Sequence, residues 1–262
     1  MPRPRVYRRE GIVLRQLDYG EADRILTIIT PEGKVRALAK SVRRPTSRKS
    51  GHVGLFIRAQ MMLAQGRNLD IVTQAESLEQ FEGLRHDLER FAYASYVGEL
   101  ADRVSQEGEE NPALYELLLI TLRWLDVEDD LALGTRFLEL RLLGVSGLQP
   151  ELFACVSCRR TIEEETNYLS AEQGGVLCPR CAPGQSGAVA LSVNVQKVLR
   201  YLQRHDVDDL RQLRIGPATH AELETLLLDY LEYTFERSFP SAAFLRRLRD
   251  ELNARRSSAL GG

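Results

Sequence analysis

The chain has 262 residues, 44% of them apolar, which is enough for two domains and a small additional module. Its 35 basic and 37 acidic side chains nearly cancel, but residues 1–70 hold fifteen basic against six acidic ones, leaving 20 against 31 in the rest. A cationic N-terminal region in a near-neutral chain points to a polyanion partner, and ordinary numbers of proline (10) and glycine (19) exclude a mainly disordered or collagen-like chain.

No apolar run approaches the ~18–20 residues of a membrane span. The basic stretch 1–10 is followed by no apolar segment of the secretory kind. A soluble cytoplasmic protein with no membrane partner is therefore expected.

The first part of the chain reads as strands. Segments 11–17 and 24–30 are short and β-branched, and the turn Pro31-Glu32-Gly33 leads into the alternating segment 34–39. Segments 55–63 and 69–73 flank a second turn at Gly66-Arg67-Asn68. Five short strands in about eighty residues predict a small barrel, most economically an open five-stranded one of the OB type, with an SH3-like barrel as the alternative that the count leaves open.

From residue 84 the period becomes helical. Leu84, Leu88, Phe91, Ala94, Val97, Ala101 and Val104 form one apolar stripe. Asn111-Pro112 reads as a helix start, because Asn accepts from free first-turn amides and Pro tolerates the first position. A further helix is predicted over 131–145, ended by Gly147 and Pro150, and Ser192 can cap another through Leu202. Leu223, Leu226, Leu227, Tyr230, Leu231 and Phe235 mark the next helix, and Phe244, Leu245, Leu248 and Leu252 the last. All these stripes are read as helix-bundle core.

Cys155-Val-Ser-Cys158 and Cys178-Pro-Arg-Cys181 are two C-x-x-C pairs at the separation typical of four-cysteine zinc sites. Each pair can place both sulfurs on one side of a knuckle, and two knuckles close a tetrahedron around the metal. Cys155, Cys158, Cys178 and Cys181 are thus expected to bind one structural Zn2+, with a hairpin of Tyr168, Leu169 and Val176 between them. Arg159 and Ala182 follow the knuckles where glycine often sits.

Between Glu32 and Asp70 there is no acidic residue. Lys40, Arg43, Arg44, Arg48 and Lys49 crowd a Ser- and Thr-rich connection between two strands, with Lys34 and Arg36 on the strand before it. Guanidinium, ammonium and hydroxyl groups are what phosphate contacts need, and solvated faces usually mix charge signs. These seven residues are the candidate nucleic-acid contacts. Tyr7, Tyr19 and Phe56 are the few aromatics nearby, so binding is expected to be sequence-blind and salt-sensitive. His52, His86, His205 and His220 have no partner spacing and receive no role. No phosphate-binding Gly-x-x-x-x-Gly-Lys, paired-histidine metal motif or Gly-x-Ser-x-Gly turn is present, so no enzyme is expected.

In order along the chain stand Gly11-Ile-Val-Leu14, Tyr19-Gly-Glu-Ala-Asp-Arg-Ile25, Thr30-Pro-Glu-Gly-Lys34 and Lys40-Ser-Val-Arg-Arg44 with Ser47. Ala92-Tyr93, Glu99-Leu100, Phe137-Leu-Glu-Leu140, Gly147-Leu-Gln-Pro150 and the cysteine module with Gly174-Gly175 follow. This series resembles the RecO family of bacterial recombination mediators. It departs from the family pattern at Arg159, where glycine is usual, and at Ser41 and Val42, where a small residue or glycine commonly precedes the paired arginines.

The resemblance implies an α+β chain. It comprises an N-terminal five-stranded OB-type barrel (1–82), a mostly α-helical domain (83–150 and 186–255) with an inserted four-cysteine zinc module (151–185), and a disordered tail (256–262). It implies a DNA repair and homologous recombination mediator that binds single- and double-stranded DNA and anneals complementary strands. With RecR, such a protein helps load RecA onto strands coated by single-strand-binding protein (SSB), placing it with the nucleoid. It further implies an apolar pocket with a cationic rim for the acidic C-terminal tail of SSB, with Arg136, Phe137 and Arg141 as candidates. The alternative is a zinc-ribbon nucleic-acid-binding factor of transcription or RNA metabolism.

Overall fold

Strand β1 (Val6–Tyr19) is long enough to pair twice. Its first half runs antiparallel to β4 (Arg58–Ala64) and its second half to β2 (Asp23–Thr30), with a register shift between Val13 and Arg15 that bends the strand between partners. The hairpin from β2 to β3 (Gly33–Ala39) turns at Pro31-Glu32 as expected. Strand β3 pairs in parallel with β5 (Asp70–Glu79) at Ala37–Asp70 and Leu38–Ile71, and β5 returns antiparallel to β4. The barrel is closed in the order β1-β2-β3-β5-β4. This is the OB-type closure, and the SH3-like alternative falls. Its interior is filled by Val13, Leu26, Ile28, Met61, Leu63 and Val72, together with Val42 and Val53 from the β3–β4 connection.

The computed structural model describes residues 5–260. They form two compact units, residues 5–128 with 241–260, and residues 129–240. The first unit joins the barrel to α1 (Glu82–His86), α2 (Leu88–Val104), α3 (Pro112–Val127) and α7 (Pro240–Leu260). The second holds α4 (Leu131–Val145), α5 (Val193–Arg204), α6 (Pro217–Phe235) and a three-stranded sheet. That sheet has the order β7-β6-β8, from β6 (Asn167–Ser170), β7 (Gly175–Leu177) and β8 (Ala188–Leu191). The helices expected to make one domain are therefore shared between the units.

Beside the buried apolar face of α3, a set of polar contacts ties this helix to the barrel. Arg58 on β4 donates to Glu10 of β1 and Glu79 of β5, both at 2.9 Å. Arg123 of α3 grips Glu79 in two bonds of 2.8 and 2.9 Å, and the Tyr115 hydroxyl of α3 donates to Glu10 at 2.5 Å. At α2, Ser241 at the start of α7 donates its backbone N–H to Glu99 at 2.9 Å, and Arg256 near its end pairs with Glu89 at 2.9 Å.

Several local expectations are met in detail. The Asn111 side chain accepts from the Leu114 N–H at 2.9 Å, and Ser192 from Val195 at 3.3 Å. The single stripe from Leu84 to Val104 is two helices, because Asp87 is extended and its carboxylate caps α2 through the Arg90 N–H at 3.0 Å. Helix α7 runs on through residues 256–260, expected as tail, since no glycine or proline precedes Gly261; residues 261–262 of that tail lie outside the described residues. Strand β8 has no counterpart in the sequence reading; Ala-Val-Ala-Leu is too short to show a period.

Candidate nucleic-acid surface and metal centre

The β3–β4 connection is a series of turns held against the barrel. Ser41 donates its N–H to the Asp23 carboxylate at 2.7 Å, and Arg43 to the Ala22 carbonyl at 2.9 Å. Bonds from Arg44 to Ser41 (3.2 Å), Ser47 to Arg44 (2.9 Å) and His52 to Lys49 (3.0 Å) carry the chain onward. Val42 and Val53 plug into the barrel core, and His52, given no role by its spacing, lies with Nδ1 3.1 Å from the Ser77 hydroxyl of β5.

This scaffold sorts the seven candidate cations. Lys40, Arg44 and Arg48 are exposed and make no ion pair among the described residues. Arg43 is exposed and 3.4 Å from Asp18; Arg36 is exposed and 3.9 Å from Glu107. Lys49 instead donates to the Val72 carbonyl at 2.8 Å, and burial lowers its pKa. Lys34 donates to the Asp102 carbonyl at 2.7 Å and pairs with its carboxylate at 3.1 Å. Five of the seven thus face solvent, and two are tied down.

The four cysteines come together. The sulfurs of Cys155, Cys158, Cys178 and Cys181 lie within 4.8 Å of one another, with Cys158 and Cys178 3.9 Å apart. Zn–S bonds of ~2.3 Å put tetrahedral sulfurs about 3.8 Å apart. Each knuckle is closed by an N–H returning to its first cysteine carbonyl, Arg159 to Cys155 at 2.8 Å and Ala182 to Cys178 at 3.1 Å. Gly175 packs where a Cβ would lie 2.5 Å from the Glu151 carbonyl, so only glycine allows the hairpin to approach this closely.

Burial works against ionisation of Cys155, but N–H groups of Cys158, Cys178 and Ser157 outweigh it and bring the thiol down to about 6. Ser157 favours the Cys181 thiolate, yet crowding by the Cys158 and Cys178 sulfurs prevails and pushes it up to about 11. Four thiolates this close need a cation between them. The donor set fits a closed four-sulfur zinc site, which would supply structural cross-linking.

Helix α5 supports the module. Arg200 donates to the Leu152 carbonyl at 2.8 Å and the Ile162 carbonyl at 3.2 Å, and Gln203 to the Pro150 carbonyl at 2.8 Å. Arg204 lies 3.8 Å over the Phe153 ring.

The expected pocket around Arg136, Phe137 and Arg141 is not open. Arg136 is only 3% exposed and pairs with the buried Glu139 at 3.1 Å; Phe137 is 2% exposed. Arg141 alone reaches solvent, and its guanidinium is spent on the His205 carbonyl at 2.7 Å and on the Phe137 ring. Helix α4 is buried around its circumference, so an apolar stripe beside arginines did not mark a surface.

Two family models match the chain in tandem, "Recombination protein O N terminal" over residues 4–81 and "Recombination protein O C terminal" over residues 85–243. Among curated relatives, a DNA repair protein RecO from Roseiflexus sp. is 44% identical over 99% of this chain and 92% of the relative. One from Desulforudis audaxviator is 41% identical over 92% and 97%, and one from Dehalococcoides mccartyi 39% over 90% and 94%.

Proposed function

The chain belongs to the RecO family of DNA repair proteins, and we propose that it acts as a recombination mediator which holds DNA through the β3–β4 connection. The observation that carries this reading is the trio Lys40, Arg44 and Arg48, exposed and without carboxylate partners among the described residues, on turns that the barrel holds in place. Cations presented on a fixed backbone contact phosphates without reading bases. The protein binds single and double strands, anneals complements and, with RecR, helps RecA displace SSB in the nucleoid-bearing cytoplasm. One zinc ion on the four cysteines keeps the module folded. No chemical step is assigned to the protein.

The test is annealing of complementary oligonucleotides precoated with the cognate SSB, with or without its tail. Faster annealing that depends on the tail, and is lost on Arg44→Glu with Arg48→Glu, supports the reading. No annealing despite tight binding to bare strands reduces the protein to a nucleic-acid-binding module and favours the zinc-ribbon alternative.

A further inference from the structure

The β3–β4 connection is not the whole basic surface of the barrel. Where β1, β3 and the β4–β5 turn meet, a cleft of about 390 Å³ is lined by Arg9, Lys34, Arg36 and Arg67 together with Glu32 and Glu107. That volume is in the range of small-ligand clefts, ~300–1,000 Å³. None of this depends on the β3–β4 connection, which leaves from the opposite end of β3.

The walls are fixed. Lys34 is held by Asp102, and Tyr7 donates to the Asp70 carboxylate, which also accepts the Gly66 N–H at 3.2 Å. Glu107 forms a parallel bridge with Lys34. Beside it Gly33 (φ +110°) lies where a Cβ would be 2.4 Å from the Glu109 carbonyl. The acidic connection between α2 and α3 is therefore locked against the rim of the cleft.

The charges that face the opening are held more loosely. Arg9 and Glu32 are 3.4 Å apart, Arg36 and Glu107 3.9 Å, all of them 34–60% exposed. Exposed pairs of this kind contribute little, about 0–1 kcal/mol. Arg67 is exposed and has no ion pair among the described residues. A ligand that offers an anion to the arginines and N–H donors to the carboxylates can replace both pairs. A free phosphate would meet the carboxylates with repulsion, and a simple cation would meet the arginines. A nucleotide satisfies both.

Cytosine, adenine and guanine carry an exocyclic amino group, for which a carboxylate is an acceptor; thymine in a single strand offers only its ring N3–H, flanked by two carbonyl oxygens that repel a carboxylate. Resting on the DNA-binding reading above, we propose that this cleft holds one nucleotide of a bound single strand. Its phosphate lies on Arg36 and Arg67 and its base amino group on Glu32 or Glu107, so the barrel discriminates against thymine. The remainder of the strand, on the β3–β4 connection, is held without base preference.

The test is fluorescence anisotropy of the full-length protein with oligo-dC and oligo-dT of equal length, at one salt concentration and slightly above neutral pH. Oligo-dC is expected to bind roughly five-fold tighter, the low end for a carboxylate–amino contact at a half-exposed site. The double variant Glu32→Gln with Glu107→Gln should bind both oligomers equally, since an amide can also donate to the thymine carbonyl. Both glutamates are exposed, so an unchanged melting temperature is expected and checks the fold. Equal binding by the unmodified protein overturns the nucleotide site while leaving the DNA reading intact, as does a preference that survives in the double variant. Failure to bind either oligomer overturns the DNA reading itself and this site with it.

Discussion

The ammonium of Lys49 donates to the backbone carbonyl of Val72 at 2.8 Å, tying the β3–β4 connection to the fifth strand of the barrel. A residue that reads as a phosphate contact is thus an anchor for its neighbours. Lys49→Ala should lower stability by about 1 kcal/mol, the scale of a charged hydrogen bond that is partly exposed, and should weaken DNA binding through loosening of the turns. Thermal unfolding monitored beside DNA affinity reads both effects.

Arg44 and Arg48 should behave in the opposite way. Four to six neutralised phosphates on a single strand give a log–log salt slope of about −3 to −4, each contact adding roughly 0.7. Reversing both charges should flatten that slope by about 1.4 or more with the melting temperature unchanged. An unchanged slope would remove the connection from the DNA path.

Ser41 (φ +55°) and Arg159 (φ +63°) sit in the left-handed region that favours glycine. The resemblance leads to the expectation of glycine at Arg159 and of a small residue or glycine at Ser41, and the positive φ values give a physical reason for that expectation. Ser41→Gly and Arg159→Gly should each stabilise the fold by up to about 1 kcal/mol. Urea unfolding of the single variants measures this directly.

Burial opposes ionisation of Glu10, yet hydrogen bonds from Arg58 and Tyr115 prevail and hold its pKa below the ordinary 4.5. Glu79 is held below it first by the Arg123 bond and then by Arg58. Carboxylates with lowered folded pKa values contribute stability that is present above pH 4.5 and disappears as pH falls through the lowered values. Stability should therefore drop below pH 4.5, and Arg58→Met should reduce both the neutral-pH stability and the steepness of that acid loss. A pH series of unfolding curves on both proteins tests the sign.

Metal removal should unfold the segment from Glu151 to Cys181 without touching the barrel. Any of the four cysteines changed to serine, or prolonged chelation, should lower thermal stability and abolish bound zinc measured by elemental analysis at one ion per chain. DNA affinity carried by Arg44 and Arg48 should persist. Arg200→Met should lower stability in the same direction, with the zinc still bound, because Arg200 holds the Leu152 and Ile162 carbonyls rather than the sulfurs.

The strands, most helix starts and the cysteine module were legible in the sequence because each is set by local chemistry: alternation, a capping side chain at Asn111 or Ser192, a fixed Cys spacing. What escaped was set by partners distant in sequence. Nothing near Lys34 or Lys49 announces the Asp102 and Val72 carbonyls that take their ammonium groups. The charge of Arg136 suggested a surface, but α4 is enclosed on all sides and pairs it with Glu139 internally. Arg9 and Arg67 were not singled out as contacts, because a strand and a turn bring them together only once the barrel closes.

The position of Arg58 bears on how such chains can be recombined. Its guanidinium is shared by two carboxylates from different strands, and those carboxylates are also held by Tyr115 and Arg123 beyond the boundary between the two matched family segments. A barrel transplanted onto a relative's helices keeps its footing only if the recipient supplies both a phenol and a guanidinium in register. In this chain the tandem segments are fitted to each other through these contacts, and chimaeras joined near residue 83 should be judged by that pairing rather than by the intactness of the five strands.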